Sequence, residues 1–427
     1  MFRGARLVQG RGAHRFCYII INTVTVASDR GSRLPRGAAP KPPVCLGYSA
    51  QNPGLVLTLF AWDALCRLLP ERRGRAVQEI RRVLIANWAH LGDTLIASSV
   101  VSLLRACRPD VQIGFLAGSW GRDALHNLSG IRWLHTVDHW RLSRRPTSLW
   151  QKLCLYLETR RRALREIQSV GYDAAIDTYH CYPNSAGLLW QAGIPRRIGY
   201  RSGGGGPLFT DALPWRPEDR HIASYHRDLL KGVLGPNSFI PPPAMPEIER
   251  RVTARPGIAG LEPPYAVVHM GAGNPLKEWP EGKWIDLAAA LLRDGYRIVF
   301  TGRGAREAAA VKRVRQSLGA GTDLCDRLEW SEWVEVIRGA SLLVGVDSLA
   351  GHVAAATHTP SVLIYTGMAN DAQWRPLTAH CETLRWPTSC APCYRSKGCA
   401  SMACIRNVDV RQVLESCRRV LSHGKHS

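Results

Sequence analysis

The sequence has no run of roughly eighteen apolar residues, so none of it reads as a membrane-spanning helix. Its nearest approach to a leader, CYIIINTVTVAS at 17–28, has a short apolar core diluted by Asn22 and Thr23 and is not read as a signal peptide. Acid is scarce: 34 Asp and Glu stand against 56 Lys and Arg, a formal net charge of +22. That surplus favours anionic partners, whether nucleic acid, phosphate-bearing substrates or an acidic membrane surface, without choosing among them. Thirteen cysteines in 427 residues are too few for a disulfide scaffold, and most lie singly, as in a reduced protein. What remains, 45% hydrophobic and 21% charged, is the composition of a globular chain with room for two or three domains.

Part of the positive charge is local. RLSRRPTSLWQKLCLYLETRRRALRE (141–166) is strongly basic, and reads either as a solvated face or as an anion contact. Residues 1–46 read as a disordered or mis-started extension, and 47–80 as an amphipathic helix followed by a basic linker. In the helix, expected over 54–69, Leu55, Leu59, Trp62, Cys66 and Leu69 share a stripe, while Asp63 and Arg67 are spaced to pair. Such a helix either lies on an anionic membrane surface or docks on the domain behind it.

An α/β rhythm follows. VLIANW (83–88), VQIGFLAG (111–118), YDAAIDTY (172–179) and RRIGY (196–200) read as strands, and Asp93 opens a helix with apolar positions Leu95, Ile96, Val100, Leu103 and Leu104. The stretch 235–264, rich in proline and glycine, reads as a linker. The rhythm then restarts with YAVVHM (265–270), YRIVFTG (296–302), SLLVGV (341–346) and SVLIYTG (361–367). Two doubly wound domains are expected, at 81–240 and 260–420, facing a cleft at the carboxyl ends of their strands.

Three loops at such ends carry polar residues that packing does not require: AHLGDT with Asp93, GAGNPLKEW (271–279) with Lys277, and DSLAGH with Asp347, Ser348 and His352. Asp93 is either a helix cap or a group that does chemistry. Gly271, Gly273 and Lys277 suit a phosphate site, since glycine admits close approach and a following helix would present amide donors. Ser348 is alternatively an N-cap, and His352 a satisfied helix histidine.

LGDTLIASSVVSLLR, GAGNPLKEWPEGKW and GVDSLAGHVAAATHTPSVLIY, in that order, resemble glycosyltransferase family nine, the bacterial lipopolysaccharide heptosyltransferases, over roughly 80–420. The resemblance implies a GT-B fold of two Rossmann-like domains, the first binding the acceptor and the second a nucleotide-sugar donor. It implies an inverting, metal-independent transfer, typically from ADP-heptose, to a lipid-linked saccharide, by a cytoplasmic protein peripheral on the inner membrane. No cofactor and no nucleic acid are called for. By motif position Asp93 falls on the catalytic base, Ala272, Gly273 and Lys277 on the donor-phosphate loop, and Asp347, Ser348 and His352 on the donor-binding motif. The chain departs from the family pattern at Met270, where proline is usual, at Leu349, where glycine is usual, and at YTG (365–367). The last two lie on the donor side and leave the sugar and base open.

Cys390, Cys393, Cys399 and Cys404 have a spacing that could hold a structural zinc, form disulfides or stay as thiols. Joined to the charge, a zinc module would suit a basic nucleic-acid-binding protein, but the basic residues do not gather around these cysteines. A catalytically dead family member is the third reading, and the presence of both Asp93 and Lys277 speaks against it.

Overall fold

A computed structural model of the chain describes residues 47–50, 52–70, 79–250, 260–395 and 397–423. The expectations for 1–46, and for most of the basic linker before the first domain, lie outside the described residues.

Strands β1 (Arg82–Ala86), β2 (Gln112–Ala117), β3 (Ile131–Thr136), β4 (Ala174–Asp177), β5 (Arg196–Tyr200) and β6 (Asp211–Leu213) form a six-stranded sheet in the order β3-β2-β1-β4-β5-β6. Strands β7 (Tyr265–His269), β8 (Arg297–Thr301), β9 (Thr322–Asp323), β10 (Leu342–Val346), β11 (Ser361–Ile364) and β12 (Cys381–Leu384) form a second, in the order β12-β11-β10-β7-β8-β9. Every neighbouring pair is parallel. Parallel strands are covered on both faces and need unbroken apolar runs. The central β7 and β10 comply, being buried at all five positions each. Each sheet reverses its winding once, between β1 and β4 and between β7 and β10. At such a reversal the flanking loops part and leave a crevice beyond the carboxyl ends.

Helix α1 (Pro53–Cys66) precedes the first sheet. α2 (Leu91–Ala97) and α3 (Ser99–Cys107) follow β1; the single helix expected there breaks at Ser98, whose hydroxyl bonds back to Leu95 O at 2.7 Å. The basic stretch forms α4 (Leu149–Val170), started by a Ser148–Gln151 capping box and ended by Gly171 at φ 68°. In the second lobe stand α5 (Glu281–Arg293), α6 (Ala305–Leu318), α7 (Trp330–Arg338), α8 (Leu349–Ala356) and α9 (Val410–His423). The lobes touch where Gly92 of α2 faces His352 of α8. They are also tied by His221 Nε2 to Arg375 O, 2.7 Å, and Asn370 Nδ2 to Asp219, 2.8 Å.

α1 corrects its sequence reading. The docked face is Val56, Leu59, Asp63 and Cys66, while Trp62 and Leu69 point outward. Asp63 is not bonded to Arg67; its carboxylate accepts from Tyr48 OH at 2.9 Å and from the Gly205 N–H at 2.6 Å. A buried acceptor held by two donors outweighs an exposed ion pair, which is worth little in water. Gly204, at φ 80°, permits the approach: a Cβ there would stand 2.7 Å from Leu59. No helix among the described residues is long and apolar enough to cross a membrane.

Candidate active site

At the first reversal, Asn87 Nδ2 donates to Thr178 Oγ1 at 2.9 Å and fixes the mouth of β1 against that of β4. The chain then turns through His90, the N-cap of α2, so that Asp93 is the third helical residue rather than the cap. Burial pushes the Asp93 carboxyl up to about 6, against the lowering effect of the His90 backbone N–H and of the Lys277 and Arg144 charges. His90 beside it is pushed down to about 4 by burial, and is neutral.

At the second reversal β7 ends on His269, whose ring meets Thr301 Oγ1 at 2.9 Å. Met270 and Ala272 pack into the core, and Gly271 and Gly273 make room for large neighbours. A methyl group on Gly271 would overlap the Glu307 carboxylate; one on Gly273 would overlap the Arg144 guanidinium. Each glycine thus leaves room for a side chain, one of them from the opposite lobe. A 3-10 turn, Pro275–Lys277, comes first, its Leu276 N–H donating to Asn274 Oδ1 at 3.1 Å, and the helix expected through EGKWIDLAAALLRDG follows as α5 from Glu281. That turn aims Lys277 across the loop, and its Nζ lies 2.6 Å from Asp347 Oδ2.

Ser348 sits at the N-cap of α8, with extended backbone, but its hydroxyl makes no capping bond. Ser348 Oγ and His352 Nδ1 are both buried without a hydrogen-bond partner among the described residues. Burial pushes His352 down to about 4, so the ring is neutral. Neither residue is thus the satisfied structural group that packing alone would produce.

Asp93, Gly273, Lys277, Asp347, Ser348 and His352 line one cavity of about 490 Å³ between the lobes. Ala272 lines an adjoining cavity of about 310 Å³, and Leu91, Gly273, Ser348 and Leu349 border both. Seven residues picked from three loops far apart in sequence therefore meet in one crevice. The sequence reading missed Arg144, which enters the larger cavity from the loop before α4 and makes no ion pair or hydrogen bond among the described residues. Standing in a strongly basic stretch, it carries no signal of its own in the sequence. Also missed were Glu307, bonded by the Arg303 N–H at 2.9 Å, and the Trp330–Trp333 pair, 5.5 Å between rings, all lining the smaller cavity. The RGARE turn after β8 is a strand–glycine–helix turn of the kind used for the other loops, and could have flagged Glu307.

The two conspicuous departures leave the backbone unstrained: Leu349 starts α8 in ordinary helical conformation, and Gly367 O accepts from Cys393 N at 2.7 Å. Through that bond the cysteine segment lies on the loop after β11, and its Gly398 packs against Leu276 beside Lys277. Cys390 and Cys399 are exposed, Cys393 is half-buried, Cys404 is buried, and all four are free thiols. Among the described residues no three His, Cys, Asp or Glu side chains gather as a metal site. The Ser401 hydroxyl and the Met402 N–H hold the Cys399 thiol below its ordinary value.

The sequence profile of glycosyltransferase family 9 (heptosyltransferase) matches residues 160–402. The chain belongs to glycosyltransferase family 9. Lipopolysaccharide heptosyltransferase 3 of Escherichia coli K12 is 25% identical over 306 residues, covering 67% of this chain and 83% of the relative. Lipopolysaccharide heptosyltransferase 2 of the same strain is 25% identical over 305 residues, covering 66% and 82%. Among solved structures, the E. coli ADP-heptose heptosyltransferase II superposes with a TM-score of 0.62 at 21% identity, over 81% of this chain and 99% of that one. The family 9 glycosyltransferase of Veillonella parvula gives 0.64 at 18%, over 81% and 98%. The two parallel six-stranded sheets are thus the GT-B arrangement of this heptosyltransferase family, as the motifs led one to expect.

Proposed function

We propose that this family 9 glycosyltransferase moves heptose, or a similar sugar, from an ADP-sugar to a lipid-linked saccharide in lipopolysaccharide or related envelope synthesis, with inversion at the anomeric carbon. One observation carries the reading. A carboxylate of raised pKa from one lobe shares a cavity with a lysine of the other and with its Ser348 and His352, whose Oγ and Nδ1 have no hydrogen-bond partner among the described residues. The relatives are named for heptose transfer to lipopolysaccharide, and a solved E. coli relative, 17% identical with a TM-score of 0.59, holds ADP.

In the proposed step the acceptor hydroxyl gives its proton to Asp93 as its oxygen bonds the anomeric carbon. The carbon–oxygen bond to the diphosphate breaks, and the nucleoside diphosphate leaves with the electron pair. A carboxylate near pKa 6 is ionised at neutral pH yet basic enough to accept that proton. The diphosphate gathers charge as it leaves, and Lys277 from one side and Arg144 from the other meet it. These cations ask no metal of the reaction, so turnover is expected to persist in excess EDTA. On this reading 81–240 receives the acceptor, 260–420 holds the donor, and the Trp330–Trp333 cavity takes the base.

The test is a thermal-shift screen of ADP, UDP, GDP and CDP, followed by turnover of the sugar nucleotide whose diphosphate stabilises most. Stabilisation by ADP above the others is expected. Indifference to all four would end the transferase reading, and preference for another base would revise the donor.

A further inference from the structure

Helix α1 is fastened to the first lobe along one side only. Val56, Leu59, Asp63 and Cys66 are buried there. The opposite side is equally apolar: Leu57 is 58% exposed, Phe60 49% and Leu65 59%, and Leu68 just past the helix is 81%. Its single acidic residue, Asp63, is turned inward onto Tyr48 and Gly205, so the helix turns no negative charge to its open side, and Arg67 follows the helix directly. A helix that ends in water ordinarily turns polar residues outward. A contiguous apolar face left open marks a surface that is covered when the protein works.

We propose that the open side of α1 lies on an anionic lipid bilayer, with Leu57, Phe60, Leu65 and Leu68 at the acyl boundary and Arg67 at the phosphates. Charge decides among the occupants. Arg67 flanks the apolar face, Arg72, Arg73 and Arg75 follow it in the sequence, and the chain carries +22. A second copy would bring the same surplus against itself, whereas an anionic surface complements it. Length decides the posture. Fourteen residues make a rod of roughly 21 Å, too short to span a bilayer, so the helix lies in the plane of the interface.

The attachment sets where this surface stands. Asp63 grips the Gly203–Gly206 run, and Gly203 packs against Cys181 in the loop after β4, on the same lobe as Asp93. The membrane face is therefore built on the lobe that carries Asp93. The proposal does not rest on the transferase reading, but would bring a lipid-tailed acceptor to the lobe that needs it.

Sedimentation of the full chain with vesicles of phosphatidylglycerol and phosphatidylcholine, against phosphatidylcholine alone, tests it. Binding that requires phosphatidylglycerol and weakens with salt is expected. Phe60→Glu and Leu65→Glu should each weaken it about tenfold or more, with the melting temperature and its response to ADP kept. Leu68→Glu, outside the helix, should act the same way with no path through folding. Absence of binding to the anionic vesicles would overturn the proposal, as would binding that all three substitutions leave intact. A dimer that these substitutions dissociate would assign the face to a second copy instead. A parent protein that binds vesicles but ignores ADP would strike the transferase reading and leave this one standing.

Discussion

Two carboxylates line the same cavity, and their partners separate them. Asp347 takes the Lys277 ammonium at 2.6 Å; Asp93 has no ion-pair partner among the described residues and is raised to about 6 by burial. Asp93→Asn is therefore expected to lower turnover by about 10² to 10⁴ while leaving donor affinity nearly intact, read from kcat and from nucleotide binding. Retained turnover would remove Asp93 from the chemistry. The acid limb of kcat/KM should fall as pH drops through about 6, because the base is lost on protonation. Stability should move the other way. The folded pKa lies above the ordinary 3.8, so the cost of ionisation to the fold builds as pH rises from 3.8 through about 6, is full above that and absent below 3.8. Asp93→Asn should thus gain at most about 3 kcal/mol at pH 8 in urea unfolding and nothing in strong acid. Arg144 makes the matching case for a cation without a partner among the described residues. Arg144→Ala is expected to cost roughly tenfold in nucleoside diphosphate affinity, measured by calorimetry, whereas a rise in acceptor KM alone would place the guanidinium on the acceptor.

Among the elements, the docking of α1 depends on a buried carboxylate rather than on apolar contact alone. Asp63→Ala leaves the Tyr48 hydroxyl and the Gly205 N–H without their acceptor, and should destabilise the protein by about 1–3 kcal/mol in urea unfolding. An unchanged midpoint would show that water replaces the carboxylate. Which elements were legible follows from burial. The eight strands anticipated from apolar runs all exist, and all are interior to their sheets. The four that escaped notice, β3, β6, β9 and β12, are the four sheet edges. An edge strand is partly exposed and shares its face with solvent, so it has no continuous apolar run to betray it. β12 is half-buried at every position and β9 is two residues long. The misjudged stripe on α1 has the same origin, because an apolar helix offers several possible inner faces and only the neighbour chooses one.

For the molecule as a whole, one hydrophobic cluster contains Val83 and Ile96 of the first lobe together with Val267 and Val353 of the second. The lobes are accordingly expected to unfold in a single calorimetric transition with matching van't Hoff enthalpy; two resolved transitions would show them to be independent. A nucleoside diphosphate held between them should stabilise that transition by about 2.7 kcal/mol at a hundred times its Kd. The sequence by itself determined the two α/β rhythms, the interruption between them and the three polar loops, because each follows from local pattern: apolar runs, turn residues, and polar groups where a strand ends. Only the tertiary structure decided that those loops share one crevice, that Arg144 crosses it to Gly273, and that Asp63 faces inward. Each of these joins residues distant in the chain, and the spacing of residues along a chain carries no record of which distant surface will come to lie against them.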